Sequence, residues 1–155
     1  MKQKISVIGA GTMGTGIAQV AATYGSAVTL IDTSQEALER SRSSLHSVMN
    51  RLVDKEKLSP EESGAILSRI QWTNEMESVA DSELVIEAVI ENMGVKQKTF
   101  SDVESFVSND CIISTNTSSL SVEGIASSCS NLTRIVGIHF FNPVPLMKLV
   151  EVVPV

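Results

Sequence analysis

The stretch that decides the fold of this chain is Val7-Ile8-Gly9-Ala10-Gly11-Thr12-Met13-Gly14-Thr15-Gly16. A short apolar run leads into it, and residues 17–22 after it have the spacing of a helix. Gly9, Gly11 and Gly14 therefore fall where a strand turns sharply into a helix, which is the context in which a Gly-x-Gly-x-x-Gly pattern carries meaning.

Each of these glycines has a separate use in such a turn. The first allows the tight bend, the second lets a pyrophosphate approach the backbone, and the third lets the helix pack closely on the strand. The helix then points its free N–H groups and its positive end at the phosphates. The pattern predicts nucleotide binding, with an ordinary glycine turn as the alternative. The candidate contact residues are Gly9, Gly11, Thr12, Met13 and Gly14.

Length and composition bound the class of protein. The chain has 155 residues, 43% of them hydrophobic, which suffices for one domain with a substantial core. The formal net charge of -6 argues against nucleic acid as a partner. No apolar run reaches the roughly 18 residues typical of a membrane span, so we expect no membrane partner.

The two cysteines form neither a Cys-x-x-Cys nor a zinc-ligand pattern, so we expect no metal site. Cys111 and Cys129 fit small, buried or half-buried thiols in a reducing compartment. We therefore expect a cytoplasmic location.

Strand-like apolar runs alternate with helical patterns, which is typical of an α/β fold with a parallel sheet. Predicted strands cover residues 4–8, 27–31, 70–72, 84–89, 111–114, 135–140 and 148–153, and predicted helices cover residues 13–24, 33–53, 94–107 and 119–128, with one more helix beginning at Ser59-Pro60. The two helices after the second strand are too long for a minimal crossover and predict a helical excursion from the sheet. Together with the glycine turn, the pattern predicts a Rossmann-like, doubly wound, mostly parallel sheet.

Asp32 closes the second predicted strand, 23 residues after Gly9. A carboxylate at this place accepts hydrogen bonds from the adenosine ribose and repels a 2′-phosphate, which favours NAD over NADP. The alternative is a helix N-cap, but Thr33, with Glu36 three residues later, fits a capping box and takes that role.

Polar groups in the second half of the chain follow the carboxyl ends of predicted strands, where open parallel sheets bind ligands. One group lies in residues 114–120, another includes His139, and a third includes Glu151. On the residues alone, the first group also fits a loop and helix cap, and His139 also fits a core histidine. Glu151 lies in an apolar strand, and a buried carboxylate there needs a partner such as a histidine.

These motifs resemble the amino-terminal part of the 3-hydroxyacyl-CoA dehydrogenases, including the 3-hydroxybutyryl-CoA dehydrogenase branch. The resemblance covers all 155 residues and depends on residues 7–16, 87–92, 114–120 and 139–151, of which the last stretch is long and highly specific. It implies NAD-dependent oxidation of the 3-hydroxyl of an acyl-CoA thioester, or the reverse reduction.

The resemblance also implies residue roles. His139 is the expected catalytic base, Glu151 its carboxylate partner, and Ser118 a contact to the reacting oxygen and the nicotinamide. The residues expected to line the cofactor or substrate site are Glu91, Lys96, Asn116 and Asn142, and the candidates for CoA contacts are Lys55 and Lys57. Without the resemblance, Glu91 fits a helix-start carboxylate, and the three lysines fit solvated positions.

The family has a second, all-helical carboxyl-terminal domain that supplies a further catalytic asparagine and most of a homodimer interface. That domain is absent from these 155 residues, and the chain ends directly after a predicted strand, so we expect a fragment that folds, binds NAD weakly and turns over little or no substrate. The alternatives are a dehydrogenase of a hydroxy acid without CoA and a non-catalytic NAD-binding relative.

Overall fold

The structure, a computed structural model, describes residues 3–155. The strands are β1 Lys4–Ile8, β2 Ala27–Ile31, β3 Ile70–Thr73, β4 Leu84–Glu87, β5 Ile112–Thr115, β6 Ile135–Phe140 and β7 Val150–Pro154. The helices are α1 Thr12–Thr23, α2 Gln35–Asp54, α3 Pro60–Ser68, α4 Met93–Phe106 and α5 Val122–Ala126, with short 3-10 helices at Met76–Val79 and Leu132–Arg134.

The strands form one sheet in the order β3-β2-β1-β4-β5-β6-β7. All neighbours are parallel except β6 and β7, which are antiparallel. Ile8, at the end of β1, pairs with Ile31 at the end of β2 and with Glu87 at the end of β4. The carboxyl ends of the central strands therefore share one edge, and the strand order reverses between β1 and β4, where such sheets have a ligand crevice. The Rossmann-like, mostly parallel fold predicted from the sequence is confirmed.

Helices cover both faces of the sheet, so the central strands are buried on both sides. In β1, Val7 packs in one apolar cluster with α1 and α2, and its neighbour Ile8 packs in another with α4. Consecutive strand residues point to opposite faces. Two-sided burial explains why these strands are nearly continuous apolar runs without a polar alternation.

The helical excursion is confirmed as α2 and α3, which lie between β2 and β3. Ser59 and Glu62 form a capping box at the start of α3, and Pro60 occupies its first turn. Leu45 and Met49 of α2 and Ile66 of α3 are buried in the same cluster as α1. The excursion thus forms one wall of the space above the glycine turn.

The predicted capping role of Thr33 is wrong. Ser34 is the N-cap of α2, and its hydroxyl accepts a hydrogen bond from the Ala37 N–H at 3.2 Å. Thr33 is exposed, one residue too early to reach the first turn. The sequence offers two adjacent hydroxyls, and only the backbone geometry decides between them.

Replacing Ser34 with alanine is expected to lower the free energy of unfolding by about 1 kcal/mol, because the first turn of α2 loses its acceptor. Urea unfolding measures this change. Thr33→Ala is the matched control and is expected to stay within about 0.5 kcal/mol of wild type. Equal losses in the two variants would contradict the assignment.

The structure differs from the predicted elements mainly in the second half of the chain. The helix predicted over residues 119–128 is reduced to Val122–Ala126, and β4 ends at Glu87 instead of residue 89. The last strand, β7, runs antiparallel, and all five of its residues are exposed. Among residues 3–155, none of the helices has the length and apolar character needed to cross a bilayer.

Candidate functional site

The glycine turn has the geometry that its sequence predicts. Gly9 adopts φ +106°, and a Cβ there would lie 2.5 Å from the Ala88 carbonyl oxygen. A Cβ on Gly14 would lie 1.7 Å from the Gly9 carbonyl oxygen, so only glycine allows α1 to pack this closely on β1. A Cβ on Gly11 would meet no atom within 4 Å, which leaves space for a ligand to approach the backbone.

The start of α1 faces an open cleft. Gly11 is the N-cap and provides no side-chain cap, so the N–H groups of the first turn, at Thr12 and Met13, are free to bind an anion. We call this space the cofactor cleft; its volume is about 1170 Å³, and it runs from Gly9 and Asp32 to Asn142 and Leu146. Mostly apolar side chains with a few polar groups line it, as is usual in cofactor sites.

Asp32 directly follows β2 and contacts the glycine turn. Its Oδ2 accepts from the Ala10 N–H at 2.8 Å, and its Oδ1 accepts from the Ser34 N–H at 2.9 Å. A carboxylate has about four acceptor sites, so two remain for ribose hydroxyls. The carboxylate therefore fixes the turn and is also suited to a ribose diol, whereas its charge would repel a 2′-phosphate. The free N–H groups, the space at Gly11 and this carboxylate together fit NAD.

His139 and Glu151 form the predicted pair. They are register partners on β6 and β7, and His139 Nδ1 lies 3.1 Å from Glu151 Oε2. The ring is also 4.5 Å from the ring of Phe141, at a tilt of 49°. With Nδ1 engaged by the carboxylate, Nε2 is the nitrogen that can exchange a proton with a substrate.

The expectation that Glu151 is buried is wrong. Its side chain is 61% exposed, whereas that of His139 is 20% exposed. Within residues 3–155, β7 is the last strand of the sheet, and all five of its residues are exposed. An apolar run around a carboxylate predicts burial only where another layer covers the strand.

Ser118 lies beside this pair. A small pocket of about 390 Å³ is lined by Ser118, His139 and Glu151. The three residues that the resemblance gives as catalytic are therefore brought together at the carboxyl edge of the sheet. Ser118 is exposed, and its backbone N–H donates to Glu91 Oε1 at 2.9 Å.

Glu91 is held by a buried network that begins at Glu87. Lys96 Nζ lies 2.7 Å from Glu87 Oε1 and 3.0 Å from Glu91 Oε2, and the side chains of Lys96 and Glu87 are both 1% exposed. Thr115 Oγ1 donates to the other Glu87 oxygen at 2.7 Å. Lys96 is therefore not a solvated lysine; it joins two carboxylates beneath the turn that carries Ser118.

Sequence reasoning assigned no role to Glu87. The signal that could have found it is a carboxylate at the end of the apolar run of residues 84–89. A buried charge in such a run needs a charged partner, and Lys96, on the helix that follows, was available. The structure shows that both belong to one ion-pair network.

The remaining candidates lie in separate places. Asn116 Oδ1 accepts from the Phe140 N–H at 2.8 Å and so holds the end of β6 beside that of β5. Asn142 is exposed and lines the cofactor cleft. Lys57 lines the wall of the cleft formed by the excursion, whereas Lys55 is the exposed C-cap of α2 and lies outside the lining.

Burial raises the pKa of the Glu91 carboxyl, but hydrogen bonds from Thr117, Lys96 and the Ser118 N–H outweigh it and bring the pKa to about 2. Because this pKa lies below the unfolded value of 4.5, ionised Glu91 stabilises the fold above pH 4.5, and this contribution is lost as the pH falls towards 2.

We expect Glu91→Gln to be less stable than wild type at neutral pH, and the difference to shrink as the pH falls from about 4.5 towards 2. Urea unfolding midpoints at a series of pH values measure it. A difference that stays constant over this range would contradict the low pKa.

Comparison with known proteins identifies the family of the chain. The family model for the 3-hydroxyacyl-CoA dehydrogenase NAD binding domain matches residues 4–155. The chain is 43% identical over 151 residues to the 3-hydroxyadipyl-CoA dehydrogenase of Escherichia coli K12, covering 97% of this chain and 32% of that protein. It is 42% identical over 150 residues to the 3-hydroxybutyryl-CoA dehydrogenase of Clostridioides difficile, covering 97% of this chain and 53% of that protein.

The fold is shared with solved structures. The (S)-3-hydroxybutyryl-CoA dehydrogenase of Ralstonia eutropha matches with a TM-score of 0.94 and 38% identity, over 98% of this chain and 54% of that one. This chain thus spans about a third to a half of the length of these relatives. NAD is the cofactor that both the family and the cleft indicate, and the chain belongs to the family of 3-hydroxyacyl-CoA dehydrogenase NAD binding domains.

Proposed function

We propose that this chain forms the cofactor-binding and proton-transferring part of an NAD-dependent 3-hydroxyacyl-CoA dehydrogenase. The observation that carries the proposal is the His139–Glu151 pair, which shares a pocket with Ser118 at the same sheet edge as the glycine turn. A purely structural protein has no need for an accessible histidine oriented by a carboxylate at the ligand-binding edge of its sheet.

Each residue of the site has its own role in the proposed oxidation. When bound, NAD supplies the hydride acceptor for oxidation at C3 of the substrate. His139 Nε2 takes the proton of the 3-hydroxyl, and Glu151 orients the ring and stabilises the imidazolium that forms. The Ser118 hydroxyl, which lines the same pocket as His139, would hydrogen-bond the reacting oxygen. In the reverse direction, His139 returns the proton to the oxygen.

A CoA thioester is the substrate class that we favour over a free hydroxy acid. The cofactor cleft extends along the excursion to Lys57, and Arg40 also lines it, which places cations where a nucleotide phosphate can bind. The named relatives act on 3-hydroxybutyryl-CoA and 3-hydroxyadipyl-CoA. Lys55 is a weaker candidate for the same role, because it lies outside the cleft lining.

The remaining expectations stay proposals. We propose that the whole protein is a homodimer through a helical domain, and that it acts in the cytoplasm. Cys111 and Cys129 are both free thiols, which is compatible with a reducing compartment.

A steady-state assay tests the proposed function by following the consumption of NADH through its absorbance. The natural protein that carries this chain is expected to reduce acetoacetyl-CoA and to leave acetoacetate, which lacks CoA, almost unused. Equal use of both would favour a hydroxy acid dehydrogenase, and use of neither would favour a non-catalytic NAD-binding protein. The 155-residue chain alone is expected to bind NADH with little turnover.

A further inference from the structure

Gly16 lies in the interior of α1, two residues beyond the glycine turn, and is buried. Glycine is unfavourable inside a helix because it loses more backbone entropy on folding than other residues do. Its φ is not in the left-handed region, so backbone conformation does not require glycine there. Its presence therefore needs a packing reason.

That reason is a contact with Val144. A Cβ on Gly16 would lie 2.9 Å from Val144 Cβ and 3.2 Å from its Cγ2. The nearer atom, Cβ, is attached directly to the backbone, so a rotamer change cannot move it away. Any side chain at position 16 would have to displace the backbone of the segment that carries Val144.

Val144 is the anchor of an otherwise exposed segment. It is 5% exposed and belongs to the apolar cluster of α1, whereas Asn142, Pro143 and Pro145 are all exposed. The segment of residues 142–149 connects β6, which carries His139, to β7, which carries Glu151. Among residues 142–149, Val144 alone is buried.

The same segment forms the far wall of the cofactor cleft. Asn142, Pro143, Val144, Pro145 and Leu146 all line it. Within the segment, the N–H groups of Leu146 and Met147 donate to the Pro143 carbonyl oxygen, each at 3.0 Å. The segment is thus a compact turn whose position over α1 depends on the buried Val144 side chain.

We propose that Gly16 is a positioning residue: its missing side chain forms the socket for Val144, which holds the segment of residues 142–149, and with it Asn142, against the cofactor cleft. Gly16 also lines the cofactor cleft, and its proposed role is to seat Val144, without contact to the reacting atoms. The contact links the helix that binds the cofactor to the segment that joins the catalytic pair. The catalytic part of this inference rests on the proposed function; the placement of the segment does not.

The test compares four variants: Gly16→Ala, Val144→Ala, the double variant, and Gly64→Ala. Gly64 is the matched control, because it lies in α3, is exposed, and a Cβ there would meet nothing within 4 Å. Amide hydrogen exchange at Leu146 and Met147 and the dissociation constant for NADH are measured on the 155-residue chain. The kcat and KM for acetoacetyl-CoA are measured on the natural protein.

Gly16→Ala is expected to speed exchange at Leu146 and Met147 and to lower kcat by up to about 100-fold, the loss that a misplacement of about 1 Å in a positioned group can cause. KM is expected to change less than kcat. Val144→Ala removes the Cγ2 contact at 3.2 Å but keeps the Cβ contact at 2.9 Å, so the double variant is expected to lose less protection and rate than the sum of the two single losses. Gly64→Ala is expected to match wild type in every one of these measurements.

Wild-type exchange and kcat in Gly16→Ala would overturn the proposal, as would a double variant whose losses equal the sum of the losses in the two single variants. If Gly16→Ala does not fold, Val144→Ala alone tests the inference, because it removes part of the buried side chain and adds no atoms next to Gly16. Unchanged exchange at Leu146 and Met147 in Val144→Ala would overturn the inference. Wild-type protein that is inactive on acetoacetyl-CoA would contradict the proposed function instead, while the exchange data would still decide the placement of the segment.

Discussion

In the natural protein that carries this chain, replacing His139 with glutamine is expected to lower kcat/KM for acetoacetyl-CoA about 10²- to 10⁴-fold. This is the range typical for the loss of a general acid–base group. Glutamine is similar in size and can still hydrogen-bond Glu151, but it cannot take up or release the substrate proton. NADH affinity is expected to stay near wild type, because His139 lines the small pocket with Ser118 and lies outside the cofactor cleft lining. Steady-state kinetics and NADH titration measure the two quantities.

The chain offers a matched control for this experiment. It has two histidines, and the other, His46, is exposed on α2 and lies away from both of these pockets. His46→Gln is expected to leave kcat/KM unchanged. A similar small effect of both substitutions would contradict the role of His139 as base.

Replacing Lys96 with methionine is expected to produce the largest loss of stability, about 3–5 kcal/mol. The substitution keeps the length of the apolar stem but removes the ammonium from between Glu87 and Glu91. Glu87, with its side chain 1% exposed, would then carry a buried charge with only the Thr115 hydroxyl and the Val89 N–H as partners. Urea unfolding of the 155-residue chain measures the loss.

Lys98 provides the comparison on the same helix. Its side chain is 76% exposed and pairs with Asp102 one turn later, so Lys98→Met is expected to cost less than about 1 kcal/mol. Adding Glu87→Gln to Lys96→Met is expected to recover part of the loss, because it removes the orphaned charge. Equally small losses of stability in Lys96→Met and Lys98→Met would contradict the stabilising role of the Lys96 ion pairs.

The sequence was most informative where local geometry leaves few choices. The bounds of β1, β2 and β6 match their predicted ranges, since each is an apolar run that ends at a turn or a polar residue. The glycine turn could be predicted in detail because Gly9 and Gly14 are required by positive φ and by close backbone approach, respectively. These are constraints between residues close in the chain.

The properties that the sequence did not reveal depend on tertiary contacts. The direction of β7 and the exposure of Glu151 depend on which strands and layers pack against β7, and an apolar run does not specify these neighbours. The burial of Lys96 depends on Glu87, nine residues earlier, reaching the same space beneath the Ser118 turn. The socket at Gly16 is formed by Val144, 128 residues later in the chain and visible only in the folded structure.

The central claim is that NAD lies along the cofactor cleft with its nicotinamide directed towards the catalytic pair. A crystal structure of this chain with NADH tests it most directly. We expect the pyrophosphate on the N–H groups of Thr12 and Met13, the adenosine ribose on Asp32, and the nicotinamide between Asn142 and the pocket of His139. A pyrophosphate bound away from the glycine turn, or a nicotinamide placed at the β3 edge of the sheet, would contradict the account.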